Sequence, residues 1–178
     1  MSTRMINGVA LKLSDGDITG VRAEAIVNAA NSALAGGGGV DGAIHRAAGP
    51  SIMQECRKLK GCPTGSARVT SAGNLQAKYI FHAVGPIYDG KPEDEQLLRS
   101  AYQTCLNLAE EHQVKSIVFP SLSTGAYGYP MTLAAPLALS TVIEHLQKPT
   151  CLRLVIFALF NDRAYTIFAL ELARLLPE

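Results

Sequence analysis

A chain of 178 residues, 48% of them hydrophobic, is long enough to bury a substantial core within one domain spanning residues 1–178. A formal net charge of +1 excludes a surface built to coat a polyanion, and 6% aromatic residues supply few platforms for exposed bases. Cys56, Cys62, Cys105 and Cys151 form no Cys-x-x-Cys pair, and His45, His82, His112 and His145 lack the short spacings of a zinc motif. Reduced, mostly buried thiols are therefore expected rather than a metal site. The N-terminus carries no signal-peptide pattern and the apolar segments are too short to span a bilayer, so a cytoplasmic protein with no membrane partner is expected.

Val9–Leu13 alternates apolar and polar residues, as a half-exposed strand does, and Ala25-Ile26-Val27 is a short buried strand that delivers Asn28 to its end. Asp41 to Ala48 and Pro50 to Lys60 have helical periodicity, with Asp41 and Ser51 placed to start the turns. Ala67–Thr70 and Tyr79–Val84 are predicted strands, the second closed by the breaker Gly85-Pro86. Glu93 to His112 is a long amphipathic helix with Leu97, Leu98, Ala101, Cys105, Leu108 and Ala109 on one side. A strand at Ser116–Phe119, a helix at Thr132–Leu146, a strand at Leu152–Leu159 and a helix at Ala164–Leu176 complete the chain. Short, continuous Ile/Val/Phe strands alternating with helices predict an α/β fold whose sheet is covered on both faces.

In such sheets ligands collect beyond the carboxyl ends of the strands, and the unusual loops lie there. They are Asp15–Thr19, Asn28–Gly39, Pro120–Gly128 and Phe160–Asp162, four separate segments predicted to form one cleft. The run Gly36-Gly37-Gly38-Gly39 costs backbone entropy and packs nothing, which suits a backbone that must come close to a phosphate or sugar. No Gly-Lys-Ser/Thr completes a Walker A motif, and neither Gly-rich loop has the dinucleotide pattern with an acidic residue about twenty positions on. Ser121–Gly128 offers small residues and hydroxyls whose N–H groups could cradle a diphosphate without lysine.

Gly16-Asp17-Ile18-Thr19, Val27–Ser32, Gly36–Arg46, Pro63–Ala67 and Ser121–Pro130 occur in an order and spacing that resembles the macro domains, specifically the MacroD-type branch that hydrolyses ADP-ribose esters. The resemblance covers about residues 9 to 175. It implies a three-layer α/β/α sandwich with a mixed, mostly parallel central sheet.

The resemblance also implies residue roles. Asp17 would accept from the adenine amino group, with the backbone of Ile18 beside it; the plainer alternative is that Asp17 caps a turn through Thr19. Phe160 would lie against adenine, or else close the core at a strand end, and Asn161 stands where relatives often carry Asp. Ser123, Thr124, Gly125, Ala126 and Tyr127 would wrap the diphosphate, with Tyr127 over the distal ribose; the alternative is a plain turn, with Tyr127 and Tyr129 packing on the surface. Gly37, Gly38, Gly39 and Val40 would line the distal-ribose end.

The catalytic set would be Asn28, Asn31, Asp41 and His45. The two asparagines would address the ribose hydroxyls, while Asp41 and His45 share one helix face at i and i+4. A helix N-terminus favours the ionised form of Asp41, so it is expected to orient a water that the substrate's own phosphate helps to activate. The alternatives are an N-cap for Asp41 and a structural role for His45.

The implied reaction is metal-free ester hydrolysis at the distal ribose, without a cofactor. Its substrates would be O-acetyl-ADP-ribose and mono-ADP-ribose linked to acidic side chains of proteins. A reader module that binds ADP-ribose without turnover is the alternative, from which Asn31, Asp41 and the unbroken Gly36–Gly39 run distinguish the hydrolytic branch. An RNA-processing regulator draws little support from the charge and aromatic content.

Overall fold

The computed structural model describes residues 2–178. Seven strands form one sheet in the order β1-β2-β7-β6-β3-β5-β4. In chain order the strands are β1 Thr3–Ile6, β2 Val9–Asp15, β3 Ala25–Ala29, β4 Ala67–Ser71, β5 Tyr79–Ala83, β6 Ser116–Phe119 and β7 Leu154–Leu159. The helices are α1 Gly39–Ala48, α2 Ser51–Leu59, α3 Glu93–Glu111, α4 Met131–Leu146 and α5 Asp162–Leu175. The five central strands β2, β7, β6, β3 and β5 run parallel, while β1 and β4 are antiparallel edges. The mixed, mostly parallel sheet that the resemblance implies is present.

Alternation along each strand divides the core in two. Leu11, Leu13, Val27, Phe81, Phe119 and Phe157 pack with α3, α4 and α5 on one face. Ile26, Ile80, Val118 and Ile156 pack with Ile44 of α1 and Ile52 and Cys56 of α2 on the other. Each fully buried large apolar side chain contributes roughly 1.5–3 kcal/mol relative to exposure. The two cores therefore fix the three-layer sandwich, and with it the edge at which the parallel strands end.

Four local differences from the sequence reading have physical causes. β1 has no counterpart in the sequence reading, because four residues with Thr3 and Met5 exposed carry almost no pattern. The signal was the turn: Ile6 pairs with Val9 across Asn7-Gly8, both at positive φ (48° and 81°), the geometry of a two-residue hairpin. α1 begins at Gly39 with Gly38 as its N-cap, so Asp41 lies inside the first turn rather than capping it. α2 begins at Ser51 after Pro50, and no side chain caps it. α5 starts at Asp162, because the Asn161 side chain accepts from the Ala164 N–H (2.9 Å). No described helix is long and apolar enough to cross a membrane.

Candidate functional site

The parallel strands β2, β7, β6 and β3 deliver their carboxyl ends to one edge, and the loops after them meet there. Beside the ends of β3 and β6 lies a cleft of about 370 Å³, lined by Asn31, Gly37–Asp41 and Ser121–Ser123 together with Gly125, Ala126 and Tyr127. That volume is in the range of small-molecule sites.

The β6–α4 loop is built as a row of donors. The Tyr102 hydroxyl, buried in α3, accepts from the Leu122 N–H (2.8 Å) and so holds the base of the loop. Tyr129 N–H donates to the Ser123 carbonyl (2.9 Å), Tyr88 N–H to the Tyr127 carbonyl (2.9 Å), and the Thr124 hydroxyl to the Ser121 carbonyl (3.0 Å). Ser123 adopts φ +66°, a left-handed conformation that costs a serine on the order of 1–3 kcal/mol and persists only where the surroundings impose it. Among the described residues, none of the N–H groups from Ser123 to Tyr127 donates to another part of the protein. Thr124 itself turns inward as the loop's internal clasp and does not line the cleft.

Facing this loop, α1 presents a bare N-terminus. Its N-cap is Gly38, no side chain caps it, and Gly39, Val40 and Asp41 of its first turn line the cleft. The unpaired N–H groups and the helix dipole make this end attractive to an anion or a developing negative charge. The glycine loop is pinned beside it by Asn31, whose Nδ2 donates to the Gly36 carbonyl (2.9 Å) and whose Oδ1 accepts from Ala35 N–H (3.0 Å).

Asp41 is buried, and its carboxylate is held asymmetrically. Oδ1 accepts from Asn28 Nδ2 (2.8 Å) and lies 3.2 Å from His45 Nε2. Oδ2 faces Gly37: a methyl group added there would sit 3.4 Å from Oδ2 and 4.0 Å from Asn31 Nδ2. The bare α-carbon of Gly37 thus lies between the two polar groups that border the cleft. Asn28 does not line the cleft. It is fully buried beneath it, because the even-numbered residues of β3 face α1 and α2, and it acts on Asp41 from behind.

Asp17, Ile18 and Phe160 lie at the β2–β7 end of the same sheet edge, outside the enclosed cleft. Asp15 pairs with Leu159, and Gly16 N–H donates to the Leu159 carbonyl (3.0 Å), which joins the two loops. Asp17 Oδ1 accepts from Thr19 N–H (2.8 Å) and its hydroxyl (2.7 Å); these bonds hold the carboxyl below its ordinary value while Asp17 stays exposed. The capping role is therefore made, and it leaves Oδ2 unused. The Ile18 side chain is buried in the α1/α2 core, so only its backbone can meet a ligand. Phe160 is 78% exposed, which removes the reading of it as a core residue.

His45, Cys56 and His82, far apart in sequence, bring three potential ligand atoms within 4.8 Å of one another. The imidazoles of the trio already have protein partners. His82 Nε2 is directed at Thr70 Oγ1 (2.8 Å), and burial, with Asp41 and Glu55 nearby, pushes the Cys56 thiol up to about 11, so it stays protonated. Burial, reinforced by His45, pushes His82 down to about 4 and keeps it neutral. His82 and Thr70 escaped the sequence reading because nothing but strand register brings them behind Asn28.

An α/β sandwich whose cleft is walled by backbone donors at the ends of parallel strands is the class of protein that fold and site define. The particular family follows from comparison with known proteins: the Macro domain pattern matches residues 27–138, and the chain belongs to the macro domain family. It is 48% identical over 158 residues to O-acetyl-ADP-ribose deacetylase 1 of Pantoea vagans, covering 86% of this chain and 92% of that one. It is 49% identical over 166 residues to ADP-ribose glycohydrolase MACROD2 of Xenopus laevis, covering 92% of this chain and 40% of that longer protein. These two relatives identify the MacroD-type branch. The Oceanobacillus iheyensis macrodomain solved with ADP superposes with a TM-score of 0.94 at 42% identity, covering 98% of this chain and 95% of that one.

Proposed function

We propose that this macro domain binds ADP-ribose along its sheet edge and hydrolyses esters on the distal ribose. Three inter-strand steps separate β2 from β3, about 14 Å at the usual strand spacing. Asp17 and Phe160 at the first end suit adenine, the Ser123–Tyr127 donors in the middle suit the diphosphate, and the Asn31, glycine-loop and Asp41 group suits the far ribose. The ADP-bound Oceanobacillus relative and the names of the two hydrolase relatives support that ligand.

The observation that carries hydrolysis is the Asp41 carboxylate, with Oδ1 held by Asn28 and Oδ2 left facing Gly37. In the proposed reaction Oδ2 orients a water toward the acyl carbon, assisted by the substrate's phosphate. The N–H groups at the start of α1 stabilise the oxyanion as it forms. His45 steadies Oδ1 rather than transferring a proton. The acyl carbon–oxygen bond to the ribose breaks, releasing ADP-ribose and a carboxylic acid. The substrates are O-acetyl-ADP-ribose and proteins carrying mono-ADP-ribose on acidic side chains.

The deciding experiment incubates the protein, with Asn31→Ala and Asp41→Ala beside it, with O-acetyl-ADP-ribose and a glutamate-ADP-ribosylated protein. Wild-type turnover and a loss of about 10²-fold or more in Asp41→Ala are expected. Tight ADP-ribose binding without turnover of either substrate would show a reader module. Equal turnover by Asp41→Ala would remove the assigned role.

A further inference from the structure

Beneath the cleft floor a line of buried polar side chains runs away from Asp41, and its hydrogen-bond directions follow from chemistry alone. Thr70 Oγ1 donates its one proton to the Ser71 carbonyl (2.9 Å), so toward His82 Nε2 (2.8 Å) it can only accept. The single proton of a neutral His82 therefore sits on Nε2, and Nδ1 is left as an acceptor 3.1 Å from Asn28 Nδ2. Asn28 commits both amide protons, one to His82 Nδ1 and one to Asp41 Oδ1. Turning the carboxamide over would set its oxygen against the Asp41 carboxylate, two acceptors 2.8 Å apart. Asn28 Oδ1 has no hydrogen-bond partner although it is buried, a cost accepted only where the opposite side of the amide is committed.

The fold sets these groups in line. Asn28 and His82 are directly paired on β3 and β5, Thr70 pairs with Ile80 two residues along the same face, and Asn28, His82 and Thr70 are all buried.

We propose that His82 is a positioning residue: its Nδ1 lone pair, fixed by Thr70 at the far side of the ring, orients the Asn28 carboxamide and through it the Asp41 carboxylate. Oδ1 is thereby kept on the protein side and Oδ2 toward the cleft. Neither His82 nor Thr70 touches the cleft, so their effect falls on the direction of Asp41 and not on the ligand's contacts. The use of this orientation rests on the hydrolase reading above; the orientation itself does not.

The test compares His82→Leu, His82→Asn and Thr70→Val with wild type. The measurements are O-acetyl-ADP-ribose turnover, ADP-ribose affinity by calorimetry, the His82 tautomer by ¹⁵N NMR and the crystal structure of each variant. His82→Leu removes the acceptor and is expected to lower kcat about tenfold or more while changing ADP-ribose Kd by less than about twofold. His82→Asn places an oxygen where Nδ1 was and recovers most of that loss, and Thr70→Val falls between. Wild type shows the Nε2-protonated tautomer, and His82→Leu shows a rotated Asp41 carboxylate. An Nδ1-protonated ring, or a folded His82→Leu with wild-type kcat and an unmoved Asp41, overturns the proposal. Should His82→Leu not fold, the graded kcat losses of Thr70→Val and His82→Asn, with the His82 tautomer in wild type and Thr70→Val, decide in its place. Absence of turnover in wild type would sink the hydrolase reading alone, and the tautomer and the Asp41 orientation would then still decide this proposal.

Discussion

Replacing Gly42 by alanine sets helix propensity against a close approach. Gly42 lies in the first half of α1, where alanine is favoured over glycine by about 1 kcal/mol. Its added methyl, however, would meet the Gly37 carbonyl oxygen at 2.6 Å, and a backbone group cannot swing aside as the nearby Arg46 guanidinium can. The contact becomes tolerable only when Gly37 retreats by about 0.4 Å or more, and overpacking of this kind costs about 1–3 kcal/mol. The net expectation is a stability loss of about 0–2 kcal/mol, read by urea unfolding, or at most about 8 °C in Tm for a chain of this length. The effect on turnover should be larger, since Gly37 borders Asp41 Oδ2 and catalytic geometry tolerates displacements of only about 0.5 Å. A loss in kcat of about tenfold on O-acetyl-ADP-ribose is expected. A variant stabilised by about 1 kcal/mol with unchanged turnover would refute both the close approach and the role of the Gly37 loop.

Phe160→Ala should weaken ADP-ribose binding by about 1–3 kcal/mol, read by calorimetry, with almost no change in unfolding because the ring is 78% exposed. Asn161→Ala removes the side-chain cap of α5 and should cost about 0.5–2 kcal/mol of stability. Glu110 ties α3 to α4 and to the loop before β7: burial tends to raise its carboxyl, but the Thr150 hydroxyl, Cys151 N–H and His145 Nε2 outweigh that and hold it at about 2 against an ordinary 4.5. A depressed folded value means stability that is complete above pH 4.5 and lost as pH falls toward 2. Glu110→Gln should therefore cost about 1–2 kcal/mol near neutrality, and in acid titrations followed by circular dichroism its deficit should close over that window.

The parts of the fold legible in the sequence were those whose pattern is local. Phe157 and Ile156 alternate between two cores, so the residues around them announce a sheet covered on both sides. β1 was missed because its information lay in the Asn7-Gly8 turn rather than in hydrophobic periodicity. At the site, Asn31, Gly37–Asp41 and most of Ser123–Tyr127 were readable because loops that bind through backbone must be glycine-rich or small. Thr124 spends its hydroxyl on clasping its own loop and keeps its backbone N–H free, a division that residue type alone does not show. Asn28, which looked like a ribose contact, is buried behind Asp41.

The sequence by itself determined the class of fold, the edge at which the ligand loops gather and the bare backbone of the glycine run, since each follows from residue type and spacing along the chain. Only the tertiary structure decided the direction of the groups that act. The line from Thr70 through His82 and Asn28 to Asp41 joins β4, β5, β3 and α1. Its order depends on strand register and on which nitrogen of a buried imidazole carries the proton. Those are relations between elements distant in the chain, and no local pattern encodes them. The same holds for the four glycines: what gives Gly37 its place is the Asp41 oxygen that packing brings to face it.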